Sequence, residues 1–229
     1  MPFYSVSEPV ADFSLGLWHV TESDNELTLR FNSIIRDNAY QNVNSELRRQ
    51  RLATLALINE MTGIRLVEID HDANGKPLLP TGIGSISISH SNEWVVVGID
   101  KQFRKIGVDI ELVQAKLEKV ATRFLNATEW TFLETFEKAE RLRMLTLYWC
   151  AKETLYKILP VSGHSFQHGF LVEPFELKTN IAPPIGAALV TAGEFWISFK
   201  PEGLTVDKLV RNKMNYLSVG DYELVYCIA

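Results

Sequence analysis

Cysteine is nearly missing from this chain of 229 residues: Cys150 and Cys227 are its only two and lie far apart. They supply neither a disulfide framework nor ligand-type spacing for a thiolate metal site, so Cys150 is expected to serve packing. The formal net charge is -5 and no dense Lys/Arg block occurs, which argues against a nonspecific nucleic-acid surface. No uncharged apolar run is long enough to span a bilayer. Met1-Pro2-Phe3-Tyr4-Ser5 lacks the basic and apolar segments of a secretory leader, so a cytoplasmic protein is expected. A Gly-rich phosphate loop, a G-x-S-x-G elbow and a Rossmann fingerprint are all absent.

What is present suits a folded chain, with 46% apolar and 22% charged residues, enough to build a sizeable core as one large domain or two small ones. Leu15–Val20 reads as the first strand and Glu26–Ile34 as a helix. A stronger helix covers Asn44–Met61, where Leu47, Leu52, Leu55, Ile58 and Met61 recur at helical spacing and Gly63 gives the stop. Arg65–Asp70 is predicted as a strand, followed by an Asn74-Gly75 turn. Ser85–Ser89 alternates polar and apolar residues as a half-buried strand does, and Trp94–Ile99 is another strand, with His90, Ser91 and Asn92 between them. Leu117–Phe124 is a short helix, and Asn126-Ala127-Thr128-Glu129 has the form of a capping box opening the next. Ala139–Leu159 is the longest helix, apolar nearly all round from Leu142 to Ala151. The tail reads as strands at Phe170–Leu177, Ile185–Val190, Phe195–Phe199 and Tyr222–Ile228, separated by Pro183-Pro184, Pro201 and polar connectors. Strand, long helix and a run of strands thus occur twice. The order predicts an α+β fold, a pseudo-dimer of two similar halves at residues 1–105 and 106–229, each a long helix packed on a mainly antiparallel sheet.

Gly107-Val108-Asp109-Ile110-Glu111 carries the most chemistry. In an extended strand Asp109 and Glu111 share one face. Two carboxylates so close suit a hard divalent cation such as Mg²⁺, although taken alone the pair reads first as a solvated acidic strand face. Glu153 and Lys157 lie four apart on one helical face among Trp149, Leu155, Tyr156 and Leu159. That spacing fits a surface ion pair, but charges beside a core tend to be paired or bound to an ion. Arg48, Arg49 and Arg51 fit a solvated helix face or an anionic ligand. Lys76-Pro77 follows the turn, and His164 and His168 sit in the Gly-containing loop Ser162–Gly169, where no metal role is assigned.

Taken in order, Gly75-Lys76-Pro77, Ile88-Ser89-His90-Ser91, Gly107-Val108-Asp109-Ile110-Glu111 and Trp149-Cys150-Ala151-Lys152-Glu153-Thr154-Leu155-Tyr156-Lys157 resemble the signature set of the 4′-phosphopantetheinyl transferases, in their larger single-chain, Sfp-type form. G-[IV]-D-x-E followed about forty residues later by W-x-x-K-E-x-x-x-K is the specific pair. The resemblance implies two similar α+β halves with coenzyme A in the cleft between them. It implies Asp109, Glu111 and Glu153 as Mg²⁺ ligands and Lys157 as the cation reaching the coenzyme A phosphates. Lys76, Pro77, Ser89 and His90 would meet its nucleotide end, and a first-helix arginine, Arg48, Arg49 or Arg51, its 3′-phosphate. The reaction implied moves the phosphopantetheine arm onto a serine of an apo acyl or peptidyl carrier protein and releases 3′,5′-ADP, with Glu153 or Glu129 accepting the serine proton. A monomer that binds no nucleic acid is expected. A Mg²⁺-dependent pyrophosphohydrolase of coenzyme A or nucleotides, and a non-catalytic coenzyme A or carrier-binding module, are the competing readings. The loop at Val161-Ser162-Gly163-His164-Ser165-Phe166 departs from the Gly- and Lys-rich segment usual in that family.

Overall fold

The computed structural model describes residues 3–31, 44–159, 165–178, 180–185, 188–200 and 209–229. The fold is α+β, with antiparallel sheets, and the chain divides into two compact units, Met1–Ile110 and Glu111–Ala229.

In the first unit, strands β1 (Phe3–Val10) and β2 (Phe13–His19) are followed by helices α1 (Asp24–Phe31) and α2 (Ser45–Thr62). A two-residue hairpin, β3 (Asp70–His71) and β4 (Pro77–Leu78), then leads to β5 (Ser85–Ser91) and β6 (Trp94–Asp100). The main sheet has the order β1-β2-β6-β5. Strand β6 is buried throughout, because α2 lays Leu52, Ala53, Ala56, Leu57 and Ile58 over Trp18, Val95, Val97 and Ile99. Helix α2 is well bounded. Asn44 caps it by accepting from Leu47 N at 2.8 Å, and Gly63 ends it with φ 69°, a left-handed value that favours glycine.

Three expectations change here. Arg65–Asp70 is not a strand beyond Asp70 itself: the Asn59 side chain receives Leu66 N at 2.9 Å and donates to Leu66 O at 3.2 Å, so a side chain takes the place of a neighbouring strand. His90 and Ser91 belong to β5, the turn being Asn92-Glu93 with Asn92 at φ 47°. The serine face of β5 is the more deeply buried one, Ser87, Ser89 and Ser91 being buried while Ile86 and Ile88 are only partly covered. Helix α1 begins two residues earlier than predicted, at Asp24, and the predicted residues 32–34 lie outside the described residues.

Strand β7 (Ile106–Leu112) contains the acidic motif, and the division between the units falls within it. Then come a 3₁₀ helix (Ala115–Arg123), α3 (Ala127–Leu133), α4 (Lys138–Ile158) and a single turn, α5 (Phe166–Gly169). Strands β8 (Phe170–Val172), β9 (Asn180–Ile185), β10 (Ala188–Phe199), β11 (Val210–Val219) and β12 (Tyr222–Ile228) complete the chain. The sheet order is β7-β12-β11-β10-β8, with β9 paired to β10. The core gathers Met144, Leu147, Tyr148 and Ala151 of α4 with Phe195, Ile197, Met214 and Val225.

Sequence patterning misreads this sheet in several places. Pro183-Pro184 lies inside β9. Strand β10 runs unbroken through Gly193, whose added Cβ would stand 2.5 Å from the Tyr216 ring, so the glycine is there for close packing. Strand β11 escapes prediction because Arg211, Lys213 and Asn215 interrupt the apolar pattern of Met214 and Tyr216. The edge strand β1, mostly exposed, escapes it too. After Val172 the chain leaves the sheet, and Phe175 stacks on Phe195 with ring centroids 4.2 Å apart.

Candidate active site

Asp109 is 5% exposed on β7, and its setting is made by β5. The Ser89 hydroxyl donates to Asp109 Oδ1 at 2.7 Å and accepts Ile110 N–H at 3.3 Å. Ser87, two residues back on the same face, accepts Val108 N–H at 3.0 Å. Serine hydroxyls thus do for β7 what strand carbonyls normally do. Glu111, two residues on along β7, is half-buried, and strand alternation places it on the Asp109 side. Among the described residues no three His, Cys, Asp or Glu side chains form a group able to hold a metal ion. Two carboxylates on one strand face are still a donor set that suits Mg²⁺, which commonly takes one or two protein carboxylates and completes its shell with substrate phosphates and water.

The second acidic motif lies on α4, which side chains fix to β12. Arg143 Nη1 pairs with Glu223 Oε1 at 2.5 Å, Arg143 Nη2 donates to Gly220 O at 2.8 Å, and Thr154 Oγ1 donates to Val225 O at 3.2 Å. Burial is the main cause that pushes the Glu223 carboxyl up to about 7 against the opposing bonds from Ser218 and Arg143. Glu153, beside Thr154, and Lys157, one turn further, are both half-buried.

Lys152 is entirely buried. Its ammonium donates to Glu129 Oε2 and Phe124 O, each at 2.6 Å, and to Phe166 O and Phe170 O at 3.0 and 3.3 Å. Burial lowers its proton affinity, and the Glu129 carboxylate works against that. Glu129 is 2% exposed. The predicted capping box with Asn126 forms: Glu129 Oε2 accepts Asn126 N at 3.0 Å, while Oε1 accepts Val172 N at 2.8 Å. One carboxylate therefore joins the start of α3, the middle of α4 and strand β8. The sequence signal for the Lys152 partner was a lysine in the middle of an apolar helix, which demands a counter-charge.

Lys76 is held in a tight frame. Asp72 Oδ1 accepts Asn74 N and Lys76 N at 2.8 and 2.9 Å, and the Lys76 backbone bond is the chief reason the Asp72 carboxyl lies below its ordinary value. Pro77 opens β4 directly after it. Exposed His90 precedes a cavity of about 250 Å³ lined by Val20, Glu46, Arg49, Gln50, Asn92 and Glu93. Gln50 Nε2 donates to Asn92 O at 2.9 Å, tying α2 to that turn. Of the three first-helix arginines, Arg49 lines the cavity, Arg48 reaches Thr28 Oγ1 at 3.4 Å, and Arg51 is exposed. His168 is exposed in α5, and residues 162–164 of the loop lie outside the described residues.

Residues 105–198 match the 4′-phosphopantetheinyl transferase superfamily. The chain is 34% identical over 84 residues to the 4′-phosphopantetheinyl transferase Sfp of Bacillus subtilis (strain 168), covering 36% of this chain and 37% of that protein. It is 27% identical over 146 residues to the 4′-phosphopantetheinyl transferase gsp of Aneurinibacillus migulanus, covering 63% of this chain and 58% of the relative. The matched stretches thus span 37% to 58% of these relatives' lengths. The acidic strand β7 and the Lys152-Glu153 helix α4 both lie inside residues 105–198, the stretch that is similar to the 4′-phosphopantetheinyl transferase superfamily.

Proposed function

We propose that this chain transfers the 4′-phosphopantetheine arm of coenzyme A to a serine hydroxyl of an apo acyl or peptidyl carrier protein, in the presence of Mg²⁺, as a cytoplasmic monomer. The observation that carries the reading is that the Asp109/Glu111 strand and the Glu153/Lys157 helix both fall inside the matched residues 105–198. The carrier serine oxygen forms a bond to the phosphorus that bears the pantetheine arm. The bond from that phosphorus to the bridging pyrophosphate oxygen breaks, and 3′,5′-ADP leaves with the electron pair. Asp109 and Glu111, on one face of β7, would hold Mg²⁺, which when bound supplies neutralisation of pyrophosphate oxygens and of charge growing on the leaving group; Glu153 forms no three-acid group with them and is assigned the proton-transfer role instead.

The remaining roles fall to the chain itself. Glu153 takes the serine proton, directly or through a water. It is the better base because the oxygens of Glu129 already accept from Asn126 N, Val172 N and Lys152 Nζ. Lys157 adds positive charge beside the phosphates. Lys76, Pro77 and His90 serve the nucleotide end, whereas the buried Ser89 hydroxyl is taken up by Asp109 and the Ile110 N–H, and Arg49, which lines the cavity next to the Asn92-Glu93 turn, is favoured over Arg48 and Arg51 for the 3′-phosphate.

Mass spectrometry of a mixture of this chain, coenzyme A, Mg²⁺ and an apo carrier tests the proposal. One pantetheine arm on the carrier, with 3′,5′-ADP released, supports it. Cleaved coenzyme A with an unchanged carrier would make the chain a pyrophosphohydrolase, and bound coenzyme A without turnover at saturating Mg²⁺ a binding module.

A further inference from the structure

Ser89 occupies an uncommon position. It is 8% exposed, and a hydroxyl has one proton to give. That proton goes to Asp109 Oδ1 at 2.7 Å, while the oxygen receives Ile110 N–H at 3.3 Å. A carboxylate on a strand can still turn about its side-chain torsions. A short bond from a buried neighbour on another strand fixes the plane in which its oxygens lie. Ser87 makes the comparison internal to the molecule, since it is buried on the same face and accepts Val108 N–H at 3.0 Å. That bond engages the β7 backbone rather than the carboxylate. Both serines hold β7 against β5, and Ser89 additionally orients Asp109.

We infer that Ser89 is a positioning residue for Asp109: its hydroxyl sets the carboxylate plane from which a divalent cation is bound, and Ser89 acts on the reaction through Asp109. The inference rests on the proposed role of Asp109 as a metal ligand. Partners that orient a ligating group typically change metal affinity by about 10–100-fold when removed. A serine that merely held the strand would give no such effect beyond that of Ser87.

The test is an electron paramagnetic resonance titration of the full chain with Mn²⁺ in the presence of coenzyme A, with a thermal melt of each variant alongside. Ser89→Ala should weaken Mn²⁺ binding about 10-fold or more, and Ser87→Ala should leave it within about twofold although it too loosens β7. Ser89→Thr and Ser89→Val, alike in shape and differing in the hydroxyl, should separate: Thr restores affinity and Val does not. Asp109→Ala is the reference. If Asp109→Ala leaves Mn²⁺ binding intact, the metal role of Asp109 itself is wrong. If Asp109→Ala abolishes binding while Ser89→Ala or Ser89→Val retains it, or if Ser87→Ala loses as much as Ser89→Ala, the positioning role of Ser89 is overturned.

Discussion

Replacing Lys152 by methionine removes the ammonium and keeps most of the apolar stem. The loss is concentrated on Glu129, a carboxylate 2% exposed that would be left with the backbone N–H groups of Asn126 and Val172 but no counter-charge. The carbonyls of Phe124, Phe166 and Phe170 lose a donor as well. Breaking a buried pair by deleting one partner costs about 3–5 kcal/mol. At roughly 2–4 °C per kcal/mol for a chain of this size, the melting point should fall by roughly 6–20 °C. Urea unfolding followed by tryptophan fluorescence measures the cost directly. Adding Glu129→Gln to Lys152→Met should recover at least half of it, because the buried charge is gone while the amide oxygen still accepts Val172 N–H. A cost for Lys152→Met below about 1 kcal/mol, or a double variant no more stable than the single one, would refute the claim that the pair is a buried, mutually dependent unit.

Two further outcomes follow from the second unit. With its carboxyl raised from 4.5 to about 7 by burial, folded Glu223 keeps a proton that the unfolded chain has released. Between those pH values its contribution to stability therefore falls as pH rises, by about 3 kcal/mol in all. Glu223→Gln cannot titrate, so urea midpoints at several pH values should show the variant gaining on the wild type from pH 4.5 to pH 7, and parallel curves would contradict this. Gly193→Ala should cost about 1–3 kcal/mol by overpacking, since its methyl meets a Tyr216 ring that is hemmed in by Phe195 and Phe175; an unchanged melting temperature would show that the ring moves freely.

The elements that sequence patterning locates well are those whose signals are local. Helix α2 has Asn44 and Gly63 at its ends and an apolar stripe between them, and α4 has a long apolar surround, so both are found within a residue or two. The Asn126–Glu129 capping box is equally plain, being four residues long. Contacts made across the chain are invisible at that range. That Glu129 also neutralises Lys152 depends on a partner 23 residues away, and that Ser89 orients Asp109 depends on one 20 residues away. The Ser-Ile alternation of β5 does not say which face is the more deeply buried, because a serine oxygen bonded to a backbone N–H of another strand leaves no mark in hydropathy. Strands β1 and β11 escape sequence patterning for a related reason: one is mostly exposed and the other carries Arg211 and Lys213, so neither has the apolar density of β6.

The site itself was legible only as residue types at a spacing. Asp109 and Glu111 on one strand face, and Glu153 with Lys157 on one helix face, follow from periods of 2 and 3.6. Which arginine of α2 stands beside a cavity does not, because Arg48, Arg49 and Arg51 differ by rotations that sequence alone leaves equivalent until the Gln50–Asn92 bond anchors α2 to the turn.

The most direct measurement is the mass of an apo carrier protein after incubation with coenzyme A and this chain, run with Mg²⁺, with a chelator, and with Asp109→Ala in place of the wild type. The expected result is one added phosphopantetheine arm with wild type and Mg²⁺, and none with the chelator or with Asp109→Ala, whose circular dichroism spectrum stays that of the folded chain. Transfer by folded Asp109→Ala at the wild-type rate would contradict the assignment of β7 as the catalytic strand.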